Sequence, residues 1–318
     1  MKKIFKQKQF LIIPGLVILM SGCLDNEDSE FEKQAKFDDQ LISQHLEQNS
    51  ITATKDNNSG IYYEVLKENT SGTPVEQEDV ISIRYIMRTL GGKLIDSLTM
   101  GAEVDTVVRF QHVPGAIFPE GFNWGVRLMN EGEKFRFYIP SDKAFKNYSY
   151  KTLIPSETIL NVEAEIVQVQ SLDDVQKEEI EAIEDYISAR ELEGVSKKST
   201  GIYYQRLQEG SGETLKTGQV VKVAYKGEFM NGEVFDKSES NKPLTFVLGI
   251  DQVIKGFEEG IKLMKKGEKG RIIIPSELAY AQGTQVIPGF IREDFMKTFQ
   301  LRDIPPFQTL IFELEIVE

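Results

Sequence analysis

The pattern of hydrophobic and polar positions predicts a chain built mostly from strands. Apolar and polar side chains alternate through residues 160–166, 220–226 and 308–318. A period of two is typical of half-buried strands in an antiparallel sheet. The stretch 252–264 instead has the spacing of one helix face, with apolar side chains at Val253, Phe257, Ile261 and Met264. We expect the sheet to bury its apolar face by wrapping around this helix, which predicts an α+β fold.

Gly256 lies inside the helical stretch, where a glycine costs roughly 1 kcal/mol relative to alanine. A glycine at such a position indicates that another group approaches the helix backbone closely. We expect that group to be an apolar ligand, which lies on Val253, Ile254 and Phe257 in the space that Gly256 leaves.

The strand and helix pattern occurs twice along the chain. SGIYYEVLKENTSG at 59–72 recurs as TGIYYQRLQEGSG at 200–212, and EKFRFYIPS at 133–141 recurs as EKGRIIIPS at 268–276. A segment with helical spacing precedes each copy. A length of 318 residues fits two domains better than one large domain. The chain is therefore predicted to hold two tandem domains of the same fold, each with a leading helix.

Composition and charge exclude several classes of function. The net charge of −13 argues against nucleic acid as a partner, because nucleic acid favours basic surfaces. One cysteine cannot form an internal disulfide bond, and with only two histidines a Cys/His metal site is not expected. The sequence also carries no nucleophile or cofactor motif, so no cofactor is predicted.

The N-terminus predicts export. MKKIFKQK carries four lysines, and an apolar run of about eleven residues at 10–20 leads to small residues and Cys23. This run is short of the roughly twenty residues that a membrane-spanning helix needs. MSGC resembles a bacterial lipobox, whose cysteine is lipidated, and this implies a membrane anchor at Cys23. The alternative is a plain signal peptide with a chance cysteine.

An acidic segment follows Cys23. LDNEDSEFE has five acids in nine residues and no base. It resembles the export tags of surface lipoproteins in the Bacteroidetes group, and a solvated tether is the alternative. The chain then divides into a signal peptide, a lipidated acidic tether and two domains, at 1–22, 23–36, 37–170 and 171–318.

The second repeat resembles the FKBP-type peptidyl-prolyl cis-trans isomerases. The resemblance rests on VAYKGEFMNGEVFDKS, NKPLTFVLGIDQVIKGFEEGIKLMKKGEKGRIIIPSELAY and IPPFQTLIFELEI, in that order. It implies an antiparallel sheet wrapped around a short helix, with an aromatic pocket for a proline ring. It implies catalytic roles for Tyr225, Phe235, Asp236, Tyr280 and Phe312. It implies substrate contacts from Leu244, Phe246, Val253, Ile254, Phe257 and Ile304.

The chemistry of the reaction explains these residue types. An X-Pro bond isomerises slowly because amide resonance opposes rotation. That resonance is lost at the twisted transition state, so a dry aromatic pocket favours the twisted form without a covalent step. The resemblance implies that the Ile254 N–H and the Tyr280 hydroxyl hold substrate carbonyls. It also implies that Asp236 orients its neighbours and contributes a fixed dipole.

The first repeat departs from this pattern. It keeps Tyr85, Asp96 and Phe122 at the positions of Tyr225, Asp236 and Phe257. Five other positions differ: Ile95, Phe118, Pro119, Phe145 and Val162 replace Phe235, Val253, Ile254, Tyr280 and Phe312. Proline has no backbone N–H and phenylalanine has no hydroxyl, so both expected donors are missing. We predict that the first repeat keeps the fold, loses most catalysis, and serves as a weak binder of proline-containing chains or as a spacer.

A long apolar segment at 281–303 interrupts the second repeat. Long apolar loops are often functional. One hypothesis is a surface for unfolded client proteins beside the pocket. The alternative is that the segment packs on its own domain.

Two classes of function remain at this point. The first is a peptidyl-prolyl isomerase of exported proteins, lipid-anchored in the bacterial envelope, most plausibly at the outer membrane, with proline-containing polypeptides as clients. The second is a non-catalytic binding, chaperone or scaffold lipoprotein with the same fold, since fold alone does not fix function. The tandem arrangement also resembles prolyl-isomerase-like lipoproteins linked to gliding motility in Bacteroidetes.

Overall fold

The computed structural model describes residues 29–98, 107–239, 241–281, 285–299 and 304–317. The predicted signal peptide and Cys23 lie outside the described residues. Across the ranges that are described, no helix combines the length and the apolar character needed to span a membrane.

The first unit begins with helix α1, Glu30–Gln48, and contains helix α2, Glu120–Val126. Its strands are β1 Thr54–Lys55, β2 Tyr62–Lys67, β3 Val80–Thr89, β4 Leu94–Leu98, β5 Val108–Gln111, β6 Ile117–Phe118, β7 Lys134–Ile139 and β8 Leu160–Gln170.

The second unit begins with helix α3, Leu172–Ala189, and contains helices α4, Lys255–Lys262, and α5, Gly289–Phe299. Its strands are β9 Ser196–Lys197, β10 Tyr203–Gln208, β11 Val220–Phe229, β12 Val234–Lys237, β13 Leu244–Val247, β14 Lys269–Ile274, β15 Gln285–Val286 and β16 Leu310–Ile316.

The two main sheets have the same topology. The strand order is β1-β2-β7-β8-β3-β4 in the first sheet, with β5 also on β3. It is β9-β10-β14-β16-β11-β12 in the second, with β13 also on β11. All pairs within these sheets are antiparallel. The predicted α+β fold in two tandem copies is confirmed.

The short helix of each unit packs directly on a strand. A Cβ at Gly256 would lie 2.2 Å from Cγ2 of Ile274, on β14, and a Cβ at Gly121 would lie 2.5 Å from Cγ2 of Ile139, on β7. No side chain fits at such distances, so the glycines allow helix and strand to touch. The expectation that Gly256 makes room for a ligand is therefore wrong, because the sheet itself takes that space.

The leading helices cover the opposite face of each sheet. Ile42 and Leu46 of α1 share a buried cluster with Tyr62 and Tyr138, on β2 and β7. Helix α3 makes the matching cluster with β10, β14 and β16. The central part of each sheet is thus covered on both faces, and the predicted leading helices provide the second cover.

Each leading helix also holds a turn that begins at the serine of the repeated sequence IPS, which is Ser141 in the first unit and Ser276 in the second. The carboxylate of Asp38 accepts a hydrogen bond from the Ser141 N–H at 2.7 Å, and that of Glu179 accepts one from the Ser276 N–H at 2.8 Å. Glu179 also accepts bonds from the hydroxyls of Ser276, at 2.8 Å, and Thr309, at 2.6 Å. In the second unit this turn leads directly to Tyr280.

The apolar insertion of the second unit lies on the first unit. Strand β15 pairs in parallel with β6, and helix α5 follows. The Phe118–Pro119 and Ile287–Pro288 peptide bonds are both cis. Neither sequence-based alternative for the insertion foresees this contact with the other domain. The side chains of Phe295, Met296 and Phe299, which the client-surface hypothesis also includes, lie outside the described part.

Candidate active site of the second domain

Four aromatic rings from four elements meet between the sheet and helix α4. Phe312 of β16 lies at the centre, with its ring centroid 5.1 Å from that of Phe257 and 5.5 Å from that of Phe235. Tyr225 of β11 lies 6.0 Å from Phe257 in an edge-on arrangement. Such edge-to-face contacts are favourable for aromatic rings. Phe257 is only 3% exposed and forms the floor.

A tyrosine–aspartate pair borders this ring cluster. The Tyr225 hydroxyl donates a hydrogen bond to Oδ2 of Asp236 at 2.7 Å. The backbone N–H of Tyr225 donates to the hydroxyl of Ser238 at 3.0 Å. These bonds hold a carboxylate and a phenol in fixed positions beside the rings.

Gly227 makes the ring arrangement possible, and sequence reasoning missed it. A Cβ at this position would lie 2.7 Å from Cζ of Phe235 and 2.7 Å from Cε1 of Phe312. Gly227 also pairs with Phe312 in the sheet register. A glycine inside an otherwise β-rich stretch is the available signal, because it marks a close approach.

Two hydrogen-bond donors face the rim of the cluster. Ile254 caps the N-terminus of α4, and its carbonyl accepts bonds from the N–H groups of Phe257 and Glu258. Its own N–H donates to no acceptor among the residues that the structure describes. Tyr280 is 52% exposed, and burial together with the nearby charge of Asp236 raises the pKa of its phenol. The hydroxyl therefore remains protonated, and able to donate, at physiological pH.

Most of the predicted site residues come together in one place. Nine of the eleven belong to the hydrophobic cluster around α4: Tyr225, Phe235, Leu244, Phe246, Val253, Ile254, Phe257, Ile304 and Phe312. Asp236 and Tyr280 lie at its border, as their polar groups require. The roles assigned to the individual residues stay predictions.

The first domain fills the equivalent space with aliphatic side chains. Its Tyr85 hydroxyl still donates to Asp96 at 2.7 Å. Met87 takes the position of Gly227, is fully buried, and pairs with Val162 as Gly227 pairs with Phe312. Met87 belongs to one buried cluster with Ile95 and Val162, which stand in place of two phenylalanines.

The donors of the second domain have no counterpart in the first. Pro119 caps α2 at the position of Ile254 and has no N–H. Phe145 replaces Tyr280 and is 2% exposed, with its ring centroid 5.6 Å from that of Phe118. The first domain thus has a buried ring at this position, whereas the second has the half-exposed ring of Tyr280.

Known proteins match both halves of the chain. The model of the family described as FKBP-type peptidyl-prolyl cis-trans isomerase matches residues 72–167 and 211–317, more than half of the chain. The FKBP-type peptidyl-prolyl cis-trans isomerase FkpA of Escherichia coli (strain K12) is 40% identical over 126 residues, which are 39% of this chain and 40% of FkpA. An FK506-binding protein of Neisseria meningitidis serogroup B is 39% identical over 120 residues, which are 37% of this chain and 95% of that protein.

Among solved structures, the crystal structure of FkpA from Escherichia coli matches with 36% identity and a TM-score of 0.35. That match covers 46% of this chain and 61% of the other. The chain spans less than half the length of the first curated relatives that it matches. The family model matches two regions of the chain, and these regions form two sheets of the same topology. This chain therefore belongs to the FKBP-type peptidyl-prolyl cis-trans isomerase family.

Proposed function

We propose that this protein is a peptidyl-prolyl cis-trans isomerase whose activity resides mainly in the second domain. The observation that supports this most is the ring cluster of Tyr225, Phe235, Phe257 and Phe312, beside which the Ile254 N–H has no acceptor in the described part of the chain. An apolar floor that accepts a proline ring lies there beside a donor for a neighbouring carbonyl.

The mechanism is differential binding of the twisted amide. In the planar ground state, resonance places negative charge on the carbonyl oxygen, and the aromatic surroundings solvate that charge poorly. At the twisted transition state the charge separation falls, so the same surroundings favour it. The Ile254 N–H and the Tyr280 hydroxyl hold the flanking carbonyls while the bond rotates. Lowering the barrier by about 6 kcal/mol accelerates rotation roughly 10⁴-fold.

Asp236 acts on the substrate through its fixed position. Its carboxylate accepts the Tyr225 hydroxyl and the N–H of Lys237, at 2.7 and 2.8 Å. The carboxylate dipole is therefore already oriented before substrate binds, which is the condition for electrostatic stabilisation without reorganisation.

The site proposal is tested with matched substitutions in the full chain. Tyr280→Phe removes a donor and Asp236→Ala removes the oriented carboxylate. We expect each to lower kcat/KM on X-Pro peptides roughly tenfold or more, since one hydrogen bond contributes about 1–2 kcal/mol. The measurement is the isomerisation rate over a series of residues before proline.

The first domain supplies the matched control. Asp96→Ala removes the same kind of Tyr–Asp pair, and we expect it to leave the rate within about twofold. Equal losses from Asp96→Ala and Asp236→Ala would place the activity in both domains. A wild-type chain that does not accelerate the bond would instead support a non-catalytic binding or scaffold lipoprotein.

The clients and the location are part of the same proposal. We infer proline-containing exported polypeptides as clients, and a lipid-anchored protein of the bacterial envelope, with Cys23 as the modified residue. The lipobox-like MSGC and the preceding basic and apolar segments support this location.

A further inference from the structure

Residues 285–291 of the second domain, here named the docking segment, lie on the first domain, where Gln285–Val286 forms strand β15 and helix α5 begins at Gly289. The Gln285 N–H donates to the carbonyl of Ala116 at 2.7 Å, and the Ile287 N–H donates to the carbonyl of Phe118 at 3.0 Å. The register is parallel, with Gln285 opposite Ile117. The docking segment thus pairs alongside the short strand β6 through main-chain hydrogen bonds.

The edge that receives the docking segment is the counterpart of the proposed substrate edge. Phe118 and Pro119 precede α2 just as Val253 and Ile254 precede α4. The donors differ, however, because Pro119 has no N–H at the position of Ile254. The first domain's edge accepts instead through the carbonyls of Ala116 and Phe118. It is therefore suited to a strand added in the parallel register of β15.

Side chains of the docking segment complete the first domain's core. Ile287 is 2% exposed and belongs to the buried cluster of that domain, and Phe290 and Ile291 pack against the same cluster. The ring centroid of Phe290 lies 4.8 Å from that of Tyr150. The first domain thus contacts an aliphatic and an aromatic side chain of the docking segment, Ile287 and Phe290, which flank Pro288 and Gly289.

The docking segment is also held from the side of its own domain. Arg292 donates to Oε1 of Gln285 at 2.7 Å and to the carbonyl of Ile304 at 3.2 Å. Because Ile304 is one of the predicted pocket residues, the segment joins the first domain's edge to the border of the second domain's ring cluster.

We propose that the first domain is a peptide-binding site for a segment that adds a short strand and then buries an aliphatic side chain before a proline and an aromatic side chain after it, and that the docking segment of the same chain occupies it. Strand addition provides affinity through the main chain, and the buried Ile287 and Phe290 provide specificity. An intramolecular ligand acts at an effective concentration of roughly millimolar, so an external peptide competes poorly. The first domain is therefore closed to outside chains until the docking segment is released.

The experiment measures binding of a fluorescent peptide, QVIPGFI, to the full chain. We expect the wild type to bind it at least roughly tenfold more weakly than Ile287→Ser and Phe290→Ala, which weaken the internal ligand. Hydrogen exchange at the Gln285 and Ile287 amides is measured in parallel. We expect it to be roughly tenfold faster or more in both variants. Lys297→Ala, an exposed position on α5, is the control that changes neither quantity.

Two outcomes overturn the proposal: unprotected Gln285 and Ile287 amides in the wild type, or equal peptide binding by wild type and both variants. Exchange of the β3 and β8 amides shows whether the first domain stays folded in each variant, and Phe290→Ala serves alone if Ile287→Ser unfolds it. Neither readout depends on isomerase activity, so this proposal and the proposed function stand or fall separately.

Discussion

At the scale of single residues, three positions decide whether an aromatic pocket exists. At these positions the second domain has a glycine and two phenylalanines, and the first has a methionine, an isoleucine and a valine. The residues are Gly227, Phe235 and Phe312 in one case, and Met87, Ile95 and Val162 in the other. Because interiors are packed to near-crystalline density, these side chains exchange volume as a set.

Gly227→Ala tests this compensation. The new methyl group would lie 2.7 Å from ring atoms of Phe235 and Phe312, so one ring must move. We expect the free energy of unfolding of the second domain to fall by about 1–3 kcal/mol, and the isomerase activity to fall with it. The measurements are native-state hydrogen exchange of the β11 amides and the rate on X-Pro peptides.

Gly91→Ala is the matched control for this substitution. The nearest atom to the new methyl group is Oγ1 of Thr89, at 3.9 Å, so we expect a change within about 0.5 kcal/mol. If Gly227→Ala were as mild as this control, the close packing of the rings around Gly227 would be disproved.

At the scale of elements, the leading helix positions the turn that carries Tyr280. Most acidic side chains of α3 are exposed. The carboxylate of the half-buried Glu179 instead accepts three hydrogen bonds, from Ser276 and Thr309. Glu184 also accepts one, from the hydroxyl of Tyr203. Burial and the charge of Glu184 raise the pKa of Tyr203 to about 12.

Glu179→Gln tests the role of this helix. The amide keeps the size of the side chain but loses the charge, and its NH₂ group replaces one of the two oxygens that accept hydrogen bonds. We expect the free energy of opening at the β14 amides to fall by about 1–3 kcal/mol, and the isomerase rate to fall because the Tyr280 turn is less fixed. Glu181→Gln, on the exposed side of α3, should change neither; a loss as large there would mean that net charge is responsible.

The elements themselves are largely predictable from periodicity. Period-two stretches such as 160–166 and 220–226 became strands, and the helix predicted over 252–264 is Lys255–Lys262. Its ends differ because Ile254 caps the helix and Val253 therefore lies before it. The resemblance to the family identified nine side chains that pack together although they are spread over nearly ninety positions of the chain.

What periodicity does not predict is which surface an element contacts. The apolar residues of the insertion indicate that it is buried, but they do not indicate which of the two domains it packs against. Gly256 shows the same limit, since a close approach is correctly indicated and the approaching group, Ile274, is not. Sequence reasoning does not single out Met87, because a buried methionine in a strand is ordinary. Its role becomes clear only when the structure shows that its counterpart is Gly227.

At the scale of the whole molecule, a net charge of −13 and the lipobox-like segment fit a protein tethered to a membrane by its N-terminus. An acidic protein is repelled by anionic lipid headgroups, so its own surface charge does not attach it. The attachment proposed above therefore requires acyl chains at Cys23, and more than one of them, because one chain alone gives only marginal binding.

Cys23→Ser tests the anchor. We expect the wild type to sediment with membranes and the variant to remain in the aqueous fraction, because the serine hydroxyl cannot be lipidated in place of the thiol. Intact mass of the N-terminal peptide identifies the acyl groups. Ser21→Ala keeps the cysteine and should leave fractionation unchanged. An unmodified mature N-terminus in the wild type would rule out lipidation and favour the plain signal peptide.

The pairing of β15 with β6 has a consequence for biosynthesis. The last strand of the first sheet ends at Gln170, and the docking segment begins only at residue 285. A ribosome adding about 5–20 residues per second needs roughly 6–23 seconds to cover that interval. Whether the chain folds as it is made or as it emerges from export, the first domain precedes its internal ligand. There is therefore a stage in which the strand edge of the first domain is available to other polypeptides, and folding of the second domain ends it.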